Sequence, residues 1–250
     1  RHRIGAVNSI NWARLMAQVV YYFAAALQLG APDRKIAFSV PTGNFGDVFA
    51  GHVAARMGLP VERLVVATNV NDILHRALSD GDYSAGDVTP TAAPSMDIQV
   101  SSNFERLLFD VGGRDGVAMA EQMRGFEGSR AMLLTQAQRA GADLFTSARA
   151  DADDMARSMR WACEEAGEVI DPHTAIGLHA ARQQELAPGV PMVTLATAHP
   201  AKFRDAVERA TGTRPPLPTR VGDLFAREER FVELPDDYDV VKAHILENAA

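Results

Sequence analysis

Ile36-Ala37-Phe38-Ser39-Val40, Pro41-Thr42-Gly43-Asn44-Phe45-Gly46-Asp47 and a helix-like stretch from Val48 to Met57 follow one another without a gap. The order predicts a strand, a glycine-bearing turn and a helix start. Unpaired N–H groups at a helix start face outward, and the helix dipole adds partial positive charge, so the turn is a seat for an anion, a phosphate above all. Gly43 and Gly46 are expected to let the main chain approach a ligand and take up positive φ. Asp47 would repel a phosphate, and is expected to cap the helix while neighbouring amides bind. The segment is neither G-x-x-x-x-G-K-[ST] nor G-x-G-x-x-G, which removes the usual support for a nucleoside triphosphate or a dinucleotide. An ordinary strand-to-helix turn stands beside the anion reading at this point.

Outward from that turn, apolar strands alternate with helices. Strands are expected at 36–40, 64–68, 144–146 and 192–196, the last of them buried. Helices are expected at 46–57, 71–79, over 103–139 with a break near Gly112-Gly113, at 151–167, 172–187, 201–211 and 238–247. Residues 80–100 read as a long irregular link. The alternation implies an α/β fold, a mostly parallel twisted sheet covered by helices on both faces, with ligands at the carboxyl ends of strands. Before the first strand, Leu15 to Leu29 is apolar nearly all round and reads as a buried helix capped by Ser9. Gln18 and Gln28 interrupt it, and it is too short to cross a bilayer comfortably.

Of 250 residues, 47% are hydrophobic and 23% charged, which is the profile of a soluble globular protein with a sizeable core. A net charge of −7 without a basic run argues against nucleic acid as a partner. The single cysteine, Cys163, excludes an internal disulfide framework and a zinc site of several thiolates, and reads as a packing residue. No metal site is expected, and a reducing cytoplasm is the simple reading.

Six blocks carry a resemblance. They are Asn8-Ser9-Ile10-Asn11-Trp12-Ala13-Arg14, Pro41 to Asp47, Pro94-Ser95-Met96-Asp97-Ile98, Ser101-Ser102-Asn103-Phe104-Glu105-Arg106, Asp171-Pro172-His173-Thr174-Ala175, and Ala196-Thr197-Ala198-His199-Pro200-Ala201-Lys202-Phe203. In this order, over about residues 1–205, the chain resembles the threonine synthases of bacteria and fungi, members of the tryptophan-synthase-β-like (fold type II) pyridoxal phosphate enzymes. The resemblance implies conversion of O-phosphohomoserine and water to threonine and phosphate. It implies a cofactor-phosphate loop at Gly43, Asn44, Phe45, Gly46 and Asp47, with Asn44 adding a side-chain amide and Phe45 shielding the site from water. It also implies that Thr197 faces the pyridine nitrogen, where without the family a strand-end threonine bonded to its own backbone is the plainer reading. Residues 1–215 are expected to form a partial large domain and 216–250 a tail packing on it.

Ser9, Asn11 and Arg14 have two readings: ligands for the substrate's phosphate, or a helix cap with a surface arginine. His173 and His199, at helix starts, are expected to tie down loops, and Lys202, in a first helical turn after Pro200, to have a structural or surface role. The family also needs a lysine that forms a Schiff base with the cofactor. Only Lys35, Lys202 and Lys242 are present, and none stands in the family's lysine motif. No catalytic residue is therefore assigned within this chain. The opening at Arg1-His2-Arg3-Ile4-Gly5, so close to a core helix, supports the same expectation: the C-terminal part of a longer enzyme, inactive alone, whose partner is the missing N-terminal portion. Such a chain is expected to be unstable or self-associating through its apolar first helix. A dehydratase or cysteine synthase of the same fold group, and a non-catalytic module that binds a phosphorylated metabolite, remain as alternatives.

Overall fold

The structure, a computed structural model, describes residues 8–248. The opening residues 1–7, which suggested a chain entering its core at once, lie outside the described residues. Two units are present, one over Asn8–Pro215 and a second that takes in the chain from Pro216 on. The second holds two 3-10 turns, Thr219–Val221 and Leu224–Ala226, and the helix Tyr238–Asn248.

The larger unit is built on four parallel strands, β1 (Ile36–Pro41), β2 (Val61–Thr68), β3 (Phe145–Arg149) and β4 (Met192–Thr194), in the order β3-β2-β1-β4. Val40 pairs with Val66, and Ser39 with Thr194. The side-chain period of two explains how the sheet is covered. Ile36, Phe38, Val40, Leu64 and Val66 enter a core with α1 (Trp12–Gln28), α2 (Gly46–Arg56), α3 (Ile73–Ser79) and α4 (Phe104–Val111). Val65 and Ala67 face the opposite way, onto α7 (Ala152–Glu165), α8 (Pro172–Arg182) and α9 (Arg204–Thr211). The helices between α4 and α7 are α5 (Gly116–Ser129) and α6 (Gln136–Gly141). A parallel sheet with helices on both faces is the architecture the alternation predicts.

Three readings need correction. Helix α1 is capped by Asn11, whose Oδ1 accepts from the Ala13 N–H at 3.0 Å, and Ser9 lies outside it. The helix is not covered on all sides: Leu15, Val19, Tyr22 and Ala26 are buried, while Met16, Val20 and Leu27 are more than half exposed. Strand β4 is shorter than 192–196 and only half-buried, because it pairs with three residues of β1 at the end of the sheet.

The order of strands positions the site. The chain runs from β1 to β2 on one side and returns to place β4 on the other, so the turns after β1 and β4 diverge from adjacent strand ends. That crevice is where open α/β sheets bind ligands.

Candidate functional site: an amide-lined cleft at the strand ends

The Thr42 N–H donates to the Ala67 carbonyl at 2.8 Å, and the chain then leaves the sheet. The next two carbonyls are captured from below. Gly43 O accepts from Ser101 Oγ at 2.8 Å, and Asn44 O accepts from the Asn103 N–H at 3.1 Å and from Asn103 Nδ2 at 2.8 Å. In a planar trans peptide the N–H points opposite to the C=O. Holding these carbonyls against residues 101–103 therefore turns the amides of Asn44 and Phe45 the other way. The amides of Gly46 and Asp47 belong to the first turn of α2, which has no intrahelical acceptor for them. Among the described residues none of the N–H groups of residues 43–47 has an acceptor.

Two side-chain facts explain the turn. Phe45 holds φ at 61°, an uncommon conformation for an aromatic residue, and its ring is 1% exposed against Phe104 and Phe145, with centroids 5.2 and 5.6 Å away. The ring anchors the turn from inside the core instead of shielding the site from water as expected. Positive φ belongs to Phe45 and not to Gly43 or Gly46. Gly43 is required for close approach: a Cβ there would stand 2.5 Å from the Ser95 carbonyl oxygen.

Asp47 also departs from expectation. It makes no cap hydrogen bond; the Tyr22 hydroxyl donates to its carbonyl at 2.8 Å and to Oδ1 at 3.3 Å. Burial pushes the carboxyl up to about 6, against the opposing hydrogen bond from Tyr22. Tyr22 is raised well above its ordinary value by burial first and by Asp47 second.

The amides open on a cleft of about 590 Å³ whose walls come from the turn, from Ser9, Arg14 and Tyr21, from Ser95 and Met96, and from residues 195–198. Asn44 lines it with Oδ1 accepting from Ser102 Oγ at 3.2 Å, which leaves the amide nitrogen as its donor end. Thr197 is exposed in the same cleft, just past β4, and among the described residues its hydroxyl makes no hydrogen bond. The self-bonded alternative is not what the structure adopts. Ser9 and Arg14 reach the cleft; Asn11 is not among its lining residues and serves as the cap of α1.

His173 and His199 tie down loops. His173 Nε2 accepts from the Ser95 N–H at 3.3 Å while its Nδ1 pairs with Asp171 Oδ1 at 2.9 Å, which seats the proton on Nδ1. The carboxyl of Asp171 is held low: burial opposes the shift, and hydrogen bonds from His173 and Thr174 outweigh it. His199 Nδ1 accepts from the Ala201 N–H at 3.1 Å. Lys202 is a residue the sequence reading undervalued. It lines the cleft with its Nζ 5.9 Å from the Phe203 ring, and among the described residues it has no ion pair. Lys35 pairs with Glu62 at the surface, Lys242 lies near Tyr238, and Cys163 is half-buried. No group of three or more metal-ligating side chains occurs among the described residues, and none of their helices is long and apolar enough to cross a membrane.

A run of free amides at a helix start, two cations and a lone hydroxyl suit a phosphate ester attached to a ring with a basic nitrogen. The parallel sheet with this turn at its switch point is the α/β fold of the fold type II pyridoxal phosphate enzymes. Residues 174–245 match the family model described as "Threonine synthase, C-terminal". A threonine synthase of Pseudomonas aeruginosa is 55% identical over 251 residues, covering 97% of this chain and 52% of that protein. The solved structure of pyridoxal-phosphate-bound threonine synthase from Brucella melitensis is similar with a TM-score of 0.94 at 49% identity, covering 98% of this chain and 53% of that one. Yeast threonine synthase gives 0.88 at 36% identity, covering 97% and 53%. Over nearly its whole length the chain is similar to threonine synthases, and it spans about half the length of the curated relatives it matches. The alternative readings, a dehydratase, a cysteine synthase or a non-catalytic module, are not favoured by these likenesses.

Proposed function

We propose that this chain is the C-terminal part of a cytoplasmic threonine synthase that converts O-phospho-L-homoserine and water to L-threonine and phosphate. The observation that carries the reading is the run of five amides, Gly43 to Asp47, without acceptors among the described residues, in one cleft with the unbonded hydroxyl of Thr197. The amides and the dipole of α2 hold the phosphate of pyridoxal phosphate, each charge-assisted bond contributing roughly 1.5–3 kcal/mol. Thr197 donates to the ring nitrogen, which orients the ring without fixing a proton on it. When bound, the cofactor supplies an electron sink that eases proton loss from the substrate's carbons. Ser9, Arg14 and Lys202 hold the substrate's phosphate and stabilise its charge as it departs. His173 keeps the Ser95 wall of the cleft in place. The amine that bonds the cofactor comes from a segment outside this chain, and the exposed flank of α1 at Met16, Val20 and Leu27 is the surface we assign to that segment.

The test compares the 250-residue chain with a polypeptide that adds the lysine-bearing portion. The longer protein is expected to consume O-phosphohomoserine with equimolar phosphate release and to leave serine and O-acetylserine untouched. The chain alone is expected to turn over nothing. Threonine formation by the chain alone, or preference for serine, refutes the reading.

A further inference from the structure

Resting on that reading, we infer that Asn103 is a positioning residue that couples the cofactor-phosphate loop to the substrate-phosphate segment through one buried side-chain amide. Asn103 is fully buried. Its Nδ2 donates to Asn44 O at 2.8 Å and to Ser9 O at 3.0 Å, and its own backbone N–H donates again to Asn44 O. The carboxamide cannot rotate freely, because Oδ1 accepts from Arg106 Nε at 2.9 Å. That bond fixes which end faces the two carbonyls. Arg106 in turn donates to Ile10 O at 2.9 Å and lies over the Trp12 ring, so the same pair grips the chain on both sides of Asn11.

The consequence follows from peptide geometry. Asn44 O belongs to the plane that carries the Phe45 N–H, and Ser9 O to the plane that carries the Ile10 N–H. Setting the first carbonyl aims an amide of the cofactor loop; setting the second fixes the backbone at Ser9, which packs beside Gly46 and with Arg14 lines the cleft. One amide group therefore sets the separation of two phosphate seats. A displacement at either carbonyl is passed to the other through a rigid, buried donor. Asn103 touches neither ligand and acts only through the groups it holds.

The experiment uses the full-length polypeptide and the variants Asn103→Ala, Asn103→Asp and Arg106→Ala. Dissociation constants are measured for pyridoxal phosphate by its absorbance and for inorganic phosphate on the cofactor-loaded protein by 31P NMR, with circular dichroism to establish the folded fraction. Asn103→Ala is expected to weaken both, each by roughly tenfold, the worth of about one lost hydrogen bond to a charged site. Asn103→Asp sets an oxygen against the two carbonyls and is expected to weaken both further. Arg106→Ala, which frees the amide to flip, is expected to fall between Asn103→Ala and the parent. A purely structural asparagine would lower the melting temperature and leave both constants of the folded protein within twofold, which overturns the inference. Loss of only one of the two affinities overturns the coupling as well. Should Asn103→Ala not fold, Arg106→Ala decides by the same two constants. A parent protein that binds no pyridoxal phosphate refutes the functional reading itself, and this inference with it; a parent that binds it while the variants match the parent refutes this inference alone.

Discussion

Replacing Gly43 by alanine tests the cleft at its tightest point. The new Cβ would stand 2.5 Å from Ser95 O and 3.4 Å from Met96 Cα, so the two backbones must part by roughly 0.9 Å to restore ordinary contact. Neither side gives readily. The 94–96 turn is tied by the Ser95 N–H to His173, and Asp97 just beyond it accepts from the Thr91 N–H at 2.7 Å and from Asn69 Nδ2 at 2.7 Å. The 43–45 turn is held through two captured carbonyls and the buried Phe45 ring. Overpacking of this kind costs about 1–3 kcal/mol, which for a domain of this size lowers the melting temperature by about 2–4 °C for each kcal/mol. The functional cost comes from geometry: amides displaced by most of an ångström lose hydrogen-bond distance to a phosphate. Cofactor affinity of the full-length protein should fall by roughly tenfold to a hundredfold, the worth of about one charge-assisted bond. Thermal melts and a cofactor titration decide it. A melting temperature within 1 °C of the parent (about 0.3 kcal/mol by the same scaling) together with unchanged affinity refutes the reasoning.

Other perturbations separate the remaining parts of the site. Asp47 has a folded value near 6 against an ordinary value of 3.8, so the native state binds the proton more tightly than the unfolded chain. Its contribution to stability is full below pH 4 (approximately the unfolded value), declines as pH rises through about 6, and is absent above; the difference is on the order of 3 kcal/mol. Asp47→Asn should flatten that decline in denaturant titrations run at several pH values, and should tighten phosphate binding at neutral pH; an unchanged pH profile counts against a buried, titrating carboxyl. Phe45→Ala removes a ring packed between Phe104 and Phe145 and should cost about 3–5 kcal/mol by chemical denaturation, whereas a loss under about 1 kcal/mol would mean the ring does not anchor the turn. Lys202→Met should leave the melting temperature unchanged, since the ammonium makes no ion pair among the described residues, while weakening inorganic phosphate binding to the loaded protein several-fold. A fall in melting temperature with unchanged phosphate affinity would return Lys202 to a structural role.

The alternation of apolar runs and helices made the parallel sheet and the position of the Gly43 turn readable, because burial on both faces imposes continuous hydrophobic strands. Local chemistry inside the turn was harder to read. Gly43 is needed because Ser95 lies against it, a contact between residues about fifty positions apart that no local pattern encodes. Phe45 takes the left-handed conformation usually left to glycine because its ring has a place between Phe104 of α4 and Phe145 of β3. Asp47 looked like a cap because carboxylates at helix starts usually are; here Tyr22 of α1 reaches it first. Lys202 was discounted for its place in a first helical turn, and the fold brings that turn to the cleft. The block from Ser101 to Arg106 was legible as part of a family pattern, but its purpose lies in carbonyls it holds far away in sequence.

That last relation is what would let so acidic a chain, with no basic residue in the loop itself, seat a dianion as proposed. A peptide unit has a donor and an acceptor on opposite sides, and both must be satisfied when buried. Ser101 and Asn103 consume the acceptors of the turn on its core side, so its donors are left to the cleft side, where only water or a ligand reaches them. Fixed amides do not need to be reoriented when the phosphate arrives, and this preorganisation spares the ordering cost that flexible lysines would bring. Charged side chains are then free for a different task. Arg14 of α1 and Lys202 of the turn after β4 line the cleft from elements other than the loop, and in the proposed reaction they would hold a phosphate that has also to be released. A permanent seat made of backbone and a transient one made of side chains is the division that the proposed reaction, which retains one phosphate and expels another, would require.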